Sequence, residues 1–155
     1  MVVYICKEKK EIAQFLDDNA PAFLATLGTC GNPRVRPIQS PLLVGDKIYF
    51  CTANTKGLFK HIKNYNDIEF CSCAKDGTFL RLRANAVFEP NLEVKKMMFK
   101  KYPYLVSLYE NPQNSRFEVF YLDNLSAKMQ FPNGDFKLIK LKARIFLALN
   151  IHFHL

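Results

Sequence analysis

The chain of 155 residues lacks several features that mark common classes of protein. It has no tryptophan, only six glycines, and no glycine-rich phosphate loop of the GxGxxG or Walker type. A GxSxG nucleophile elbow and an HExxH zinc motif are also missing. The five cysteines, none of which forms a CxxC pair or a metal-ligand spacing, are Cys6, Cys30, Cys51, Cys71 and Cys73. These absences predict no metal site, and they indicate that any difficult chemistry comes from a bound cofactor.

Long apolar runs are missing as well. The longest late run, residues 145–149, is far shorter than the ~20 residues that a membrane-spanning helix needs. The segment 7–11 is highly charged, and no apolar signal-peptide core follows it. Cys71 and Cys73 would share one strand face, which suits a mutual disulfide poorly. We therefore expect a soluble, cytoplasmic protein with reduced thiols and no membrane partner.

Acidic residues are scarce relative to basic ones. The 14 Asp and Glu against 22 Lys and Arg give a formal net charge of +8. This balance favours an anionic partner, which could be a phosphorylated cofactor, a nucleic acid or a membrane surface. The composition is 49% hydrophobic and 14% aromatic, which excludes a disordered chain and predicts one domain with a substantial core.

Hydrophobic periodicity and turn residues predict the order of the elements. Helices are expected at 7–19, 55–64, 92–101 and 104–109, and strands at 22–27, from Arg34 onward, 42–44, 47–52, 68–73, 79–88, 117–122, 127–131 and 136–141. Short strands in hairpins with a few helices predict an α+β, mainly β protein built on a small barrel. Residues 1–141 form this domain, and 142–155 are a C-terminal tail whose structure the pattern leaves open.

The most informative stretch pairs two arginines with a polar helix start. Arg34 and Arg36 stand two residues apart on a strand, so both side chains leave the same face. A short turn, which we expect to make the two strands hairpin neighbours, leads to a strand ending at Thr52, and a helix begins near Thr55 and Lys56. Hydroxyls, cations and free N–H groups there would suit a phosphate. The alternative is a charged edge strand followed by an ordinary helix cap with an exposed lysine.

Other charged residues give weaker signals. Arg81 and Arg83 repeat the same spacing, and they either extend one basic surface or line a second site. A basic barrel with aromatics is also typical of nucleic-acid binding, but these aromatics alternate as core residues, so we expect no nucleic-acid partner. His61 stands alone on a lysine-rich helix and is interpreted as a bystander. Glu118 is expected to face solvent or to pair with a strand arginine. No catalytic residue is assigned.

An ordered set of short segments carries a family resemblance. The segments are AFLAT at 22–26, PRVRP at 33–37, IYFCT at 48–52 with TK at 55–56, LRL at 80–82, AVF at 86–88 and FEVFYL at 117–122. This set is similar to the pyridoxamine 5′-phosphate oxidase-like family of small FMN-binding split barrels. The similarity covers about residues 8 to 141.

The resemblance implies a six-stranded antiparallel split β-barrel with two to three flanking helices. It also implies a homodimer with FMN bound in grooves at the subunit interface. The cofactor-binding residues that it implies are Arg34, Arg36, Gln39, Cys51, Thr52, Asn54, Thr55 and Lys56. Gln39 and Gly57 stand where the oxidase itself has basic residues, so the resemblance by itself does not imply oxidation of pyridoxamine phosphate.

The function expected from these observations is that of an FMN-binding flavoprotein. It would be an oxidoreductase with an unidentified small-molecule substrate or an electron donor such as NAD(P)H. A flavin-binding electron carrier or sensor without turnover is the first alternative, and a basic nucleic-acid-binding barrel is the second. Relatives of this barrel also bind haem or a deazaflavin, and the sequence does not choose among these cofactors.

Overall fold

The computed structural model describes residues 7–39 and 41–140, so the predicted tail at 142–155 lies outside the described residues. The helices are α1 (Lys7–Asp18), α2 (Gly57–Asn64), α3 (Leu92–Lys101) and α4 (Leu105–Tyr109). The strands are β1 (Ala22–Leu27), β2 (Pro33–Ile38), β3 (Leu42–Val44), β4 (Lys47–Ala53), β5 (Asp67–Cys73), β6 (Phe79–Phe88), β7 (Phe117–Gln130) and β8 (Phe136–Lys140). Within these residues no helix is both long and apolar enough to cross a bilayer.

The strands form a single antiparallel sheet. Their order is β2-β1-β5-β6-β7-β4-β3, and β8 pairs with β7 beside this path. The mainly β, antiparallel class predicted from the sequence is thus confirmed. The resemblance implies six barrel strands, whereas the described sheet has eight, of which β3 is only three residues long.

The alternation of side chains along the strands explains the core. On β6, Leu80 and Leu82 point inward while Arg81 and Arg83 are exposed. Inside the sheet Phe50 stacks on two further rings from other strands, with centroid distances of 4.7 and 5.9 Å. Full burial of each such side chain contributes about 1.5–3 kcal/mol. The inner face of the sheet is therefore the main hydrophobic core, and α1 and α2 pack against it.

A second, smaller core lies under α3 and α4. Met98 and Phe99 of α3 pack with Tyr109 of α4 against Phe117 at the start of β7. The α3 helix begins at an Asn91 cap whose side chain accepts a hydrogen bond from the Val94 N–H. This packing holds the short α4 helix beside the end of β4.

The strand β7 is longer than the sequence predicts. Two strands at 117–122 and 127–131 are expected, but one continuous strand runs from Phe117 to Gln130. The polar residues that look like a break form an irregularity instead: Asn124 has a φ of 48°, and the β6–β7 register shifts between Arg83 and Asn85. The Asn124 amide donates to the Asn85 side chain at 3.1 Å. A bulge bends the strand without ending it, so the prediction of two strands is wrong.

The predicted hairpin between the arginine strand and β4 is also wrong. Strand β2 pairs only with β1 among the described strands, while β4 pairs with β3 and β7. The three residues of β3 take the hairpin with β4 through the Gly45–Asp46 turn, which displaces β2 to the other end of the sheet path. The arginine strand and the end of β4 therefore meet across a gap in the sheet rather than through backbone hydrogen bonds.

Candidate functional site

A cavity of about 750 Å³ occupies the gap between β2 and β4. The start of α2 and the helix α4 close two further sides. Its wall is formed by Arg34, Val35, Arg36, Pro37, Ile38, Gln39, Cys51, Thr52, Lys56, Gly57, Leu58, His61, Tyr104, Leu105, Leu108 and Tyr109. This volume falls in the range that sites for cofactors and small molecules have.

Most of the residues that the sequence analysis selects line this cavity. Six of the eight are in its wall, namely Arg34, Arg36, Gln39, Cys51, Thr52 and Lys56. The Asn54 amide instead donates to the Ser115 carbonyl at 2.8 Å and to the Glu118 carboxylate at 3.2 Å. Thr55 is exposed and is not in the wall. The helix α2 begins two residues later than predicted, at Gly57, with Lys56 as its N-cap.

The wall carries positive charge without a compensating acid. Arg34 and Arg36 come from β2, and Lys56 comes from the start of α2. No Asp or Glu of residues 7–39 or 41–140 is in the wall. The two arginines share the inner face of the sheet, because their partners across the β1–β2 ladder, Thr26 and Leu24, are buried. Such a concave cationic wall attracts an anion.

Arg36 is held in place by two neighbours. Its Nη1 donates to Thr26 Oγ1 at 2.8 Å, and its Nη2 lies 3.2 Å from His61 Nδ1. Thr26 Oγ1 lies 3.0 Å from the same imidazole nitrogen. Burial first, and then the charge of Arg34, lowers the pKa of Arg36. Burial, and then repulsion from Arg36 and Arg34, lowers the pKa of His61.

The sequence interpretation of His61 as a bystander does not match its position in the cavity wall. One signal could have located it. His61 stands four residues after Gly57, so the two residues lie on the same face of α2. Gly57 is next to Lys56, which the sequence already places at the phosphate. Residue type and periodicity alone do not reveal that Thr26 and Arg36 stand opposite this face.

Thr52 is a buried polar residue in the cavity wall. Its side chain is 3% exposed, and its Oγ1 makes no hydrogen bond within the part of the chain that the structure describes. An unpaired buried hydroxyl costs about 1–3 kcal/mol. A polar ligand atom in the cavity would remove this cost, so Thr52 fits a phosphate-bearing or otherwise hydrogen-bonding ligand.

The part of the wall that α4 contributes is apolar and aromatic. It consists of Leu105, Leu108 and Tyr109 of α4 with Tyr104, which directly precedes that helix. Burial raises the pKa of Tyr104 to about 12. Burial also raises the pKa of the Cys51 thiol to about 12, although Lys56 opposes this shift. These groups are therefore neutral at physiological pH, and Cys51 is unsuited to act as a nucleophile.

The second arginine pair lines a separate hollow. Arg81 and Arg83 lie on the outer face of the sheet, beside a hollow of about 310 Å³ whose rim includes Glu69 and Lys128. Arg83 forms a two-point salt bridge with Asp67. The two arginine pairs therefore do not form one continuous basic surface.

Comparison with known proteins supports the fold. No protein-family model matches the chain, and no curated protein matches its sequence. Among solved structures, a NimC/NimA family protein from Clostridium acetobutylicum is similar with a TM-score of 0.80 and 26% identity, covering 85% of this chain and 91% of that one.

Two further solved structures share the fold at lower identity. A pyridoxamine 5′-phosphate oxidase-related, FMN-binding protein from Nostoc punctiforme has a TM-score of 0.61 and 12% identity, covering 92% of this chain and 100% of its own. A heme-binding protein from Mycobacterium smegmatis has a TM-score of 0.67 and 15% identity, covering 88% of this chain and 60% of its own. The chain thus has the pyridoxamine 5′-phosphate oxidase-like split-barrel fold, and the resemblance inferred from its sequence is confirmed.

Proposed function

We propose that this protein binds FMN in the cavity between β2 and β4 and acts as a flavin-dependent oxidoreductase. The observation that carries the proposal is the cationic wall of Arg34, Arg36 and Lys56, with no carboxylate among its described residues. The buried hydroxyl of Thr52 adds a hydrogen-bonding group without a partner in the described chain. A phosphate monoester at this wall would receive several charge-assisted hydrogen bonds.

Different residues of the cavity would bind different parts of FMN. Arg34, Arg36, Lys56 and Thr52 would hold the phosphate, and the N–H groups in the first turn of α2 add positive partial charge. The apolar wall of α4 offers a surface suited to a flat ring and limits the access of water. Bound FMN would supply the hydride or electron transfer. The small-molecule substrate, or a donor such as NAD(P)H, stays unidentified in this proposal.

A homodimer belongs to the proposal because the cavity mouth is apolar and exposed. Val35 and Leu108 line the cavity and are 66% and 53% exposed, and neighbouring Val106 is 54% exposed. Exposed apolar groups beside a ligand site are typical of a surface that another molecule covers. A second copy of the chain would bury these side chains and complete the groove around the flavin.

A non-catalytic electron carrier or sensor is the alternative within the same chemistry. In the described cavity wall the pKa values of Cys51 and Tyr104 are both raised to about 12, burial raises the pKa of Tyr109, and burial lowers the pKa of His61. The protein itself would therefore contribute little acid–base chemistry. Reduction of the bound flavin by NAD(P)H, followed by a search for the acceptor that reoxidises it, separates the enzyme from the carrier.

The absorption spectrum of the purified protein and a titration with FMN test the proposal together. We expect a flavin spectrum as isolated, or quenching of FMN fluorescence with a dissociation constant in the micromolar range or below. A haem spectrum would replace FMN with the cofactor of the M. smegmatis neighbour. The absence of any flavin interaction at micromolar FMN would overturn the proposal.

A further inference from the structure

Thr26, Arg36 and His61 form a closed triangle of hydrogen-bonding groups at one side of the cavity. Arg36 Nη1 lies 2.8 Å from Thr26 Oγ1, Arg36 Nη2 lies 3.2 Å from His61 Nδ1, and Thr26 Oγ1 lies 3.0 Å from His61 Nδ1. The three residues come from β1, β2 and α2. The triangle therefore joins three elements at the point where the arginine enters the cavity.

The chemistry of these groups determines where the hydrogens lie. A guanidinium only donates, so Arg36 donates to both Thr26 Oγ1 and His61 Nδ1. The Thr26 hydroxyl, which accepts from Arg36, can direct its own hydrogen to Nδ1, where it shares the single lone pair of the nitrogen with Arg36. His61 Nδ1 must then be an acceptor, and the neutral imidazole carries its hydrogen on Nε2.

The charges around His61 favour this neutral form. Arg36 and Arg34 face it from β2, and Lys56 lies at the start of its own helix. On the remaining sides of the cavity, the described groups that titrate are Cys51, Tyr104 and Tyr109, whose pKa values are all raised by burial. Burial and the two arginines lower the pKa of His61. His61 is therefore available as an acceptor at neutral pH.

We propose that Thr26 and His61 are positioning residues that aim the Arg36 guanidinium at the ligand's phosphate, and that they thereby make the site selective for a phosphorylated flavin. This inference rests on the proposed function. A guanidinium has five N–H groups, and the triangle uses two of them, so three stay available to the ligand. A fixed guanidinium loses less rotational freedom when the phosphate binds, which raises its affinity for that group.

Two substitutions of His61 separate positioning from simple packing. His61→Gln keeps a side-chain carbonyl that can accept from Arg36, whereas His61→Leu removes every acceptor. We expect His61→Leu to weaken FMN binding about tenfold, as loss of a hydrogen bond to a charged group does, and to leave riboflavin binding unchanged. His61→Gln should retain affinity within about threefold of the wild type. Thr26→Val should behave like His61→Leu with a smaller loss.

Asn64→Leu is the matched control, because it places leucine at an exposed position of the same helix outside the cavity wall. The ratio of the FMN and riboflavin dissociation constants is the readout that a general loss of packing would not change. The inference is overturned if His61→Leu weakens both flavins equally, if it weakens neither, or if His61→Gln loses as much selectivity as His61→Leu.

A measurement without flavin keeps this inference separate from the proposed function. Long-range ¹H–¹⁵N spectra of the three histidines, with His61 assigned by its loss in His61→Gln, report the tautomer directly. We expect the hydrogen on Nε2 at pH 8, and tighter binding of inorganic phosphate by the wild type than by His61→Leu. A hydrogen on Nδ1, or equal phosphate binding, would overturn the inference. Failure of FMN to bind, with the phosphate result intact, would overturn the proposed function and the selectivity for a flavin, and the positioning of Arg36 for a phosphate would stand.

Discussion

Two pairs of arginines with the same spacing lie in contrasting surroundings. Arg34 and Arg36 stand on β2, at one end of the sheet path, and line a cavity whose described wall has no acid. Arg81 and Arg83 stand on β6, in the middle of the sheet, among acidic neighbours. The pKa values of Arg36 and Arg83 shift in opposite directions. Burial lowers the pKa of Arg36, whereas the salt bridge to Asp67 raises the pKa of Arg83.

The two pairs differ in whether an acidic side chain binds one of their guanidinium groups. On β6, the strand partner of Arg83 is Glu69, and Asp67 binds the same guanidinium. Arg36 of β2 instead contacts the Thr26 hydroxyl and an imidazole nitrogen of His61, and neither group neutralises its charge. The outer-face pair therefore contributes to the surface and to strand pairing, and we do not propose that it binds nucleic acid.

The largest effect is expected when each pair is removed in turn. Arg34→Ala with Arg36→Ala should weaken FMN binding more than 100-fold, since each charge-assisted contact is worth about 1.5–3 kcal/mol. Arg81→Ala with Arg83→Ala removes the same net charge from the outer face and should change FMN affinity less than about threefold. Fluorescence titration measures both. Equal losses in the two double variants would mean that only net charge matters and would remove the distinction between the pairs.

A buried hydroxyl without a partner should behave differently from one that has a partner. Thr52→Val keeps the side-chain shape, so it should leave the free energy of unfolding unchanged or raised by about 1 kcal/mol while weakening FMN binding about five- to tenfold. Ser72→Ala is the control, because the Ser72 hydroxyl is buried but donates to the Asn19 carbonyl at 3.3 Å.

Chemical denaturation and FMN titration of both variants measure the two effects. Ser72→Ala should lower stability by about 1 kcal/mol and leave FMN affinity unchanged. A Thr52→Val protein that is clearly less stable than the wild type would contradict an unpaired hydroxyl at this position. Unchanged FMN affinity in that variant would remove Thr52 from the binding site.

The salt dependence of FMN affinity should distinguish this cationic cavity from an apolar pocket. We expect FMN affinity to fall about three- to tenfold between 50 and 500 mM salt, because ions screen the attraction between the phosphate and the cationic wall. Riboflavin carries no phosphate, so its weaker binding should hardly change. Isothermal titration at several salt concentrations measures both dissociation constants. Parallel salt curves for the two ligands would contradict a phosphate contact with this wall.

The smallest effect concerns the outer-face salt bridge. A hydrogen bond from Arg83 lowers the pKa of Asp67. Burial opposes this shift, and the positive charge of Arg83 adds to it. A carboxylate with a lowered pKa stabilises the fold above its unfolded pKa of about 3.9, and this contribution is lost as the pH falls through the folded value. Arg83→Ala should therefore lower Tm at pH 7 by at most about 2 °C, and the difference should vanish near pH 2.

Thermal unfolding of the wild type and Arg83→Ala from pH 2 to 7 measures this dependence. A Tm difference that is the same at every pH would show that Arg83 acts through packing rather than through Asp67. A large loss of FMN affinity in this variant would connect the outer face to the cavity and contradict their separation.

The sequence predicts the local elements of this fold well. The strands at 22–27, 42–44 and 79–88 and the helix at 92–101 have the predicted bounds, because alternation and helical periodicity are local properties. The break expected inside β7 fails because Asp123 and Asn124 are polar enough to resemble a turn, whereas the opposite strand accommodates them as a bulge. Bulges depend on the partner strand, which a local pattern does not contain.

The candidate site was only partly predictable for the same reason. Residues that follow one another along the chain, such as Arg34 with Arg36, were found from spacing alone. The contributions of His61, Tyr104 and Tyr109 depend on how α2 and α4 pack against distant strands, so residue type gave no signal. The neutralisation of Arg83 by Asp67 likewise depends on the register of β5 and β6.

We propose above that the cavity binds a flavin through its phosphate. The most direct test is to titrate FMN and riboflavin into the same wild-type protein at low salt and to compare the two dissociation constants. We expect FMN to bind in the micromolar range or tighter and at least tenfold more tightly than riboflavin. Equal affinity for the two flavins, or no binding of either, would contradict it.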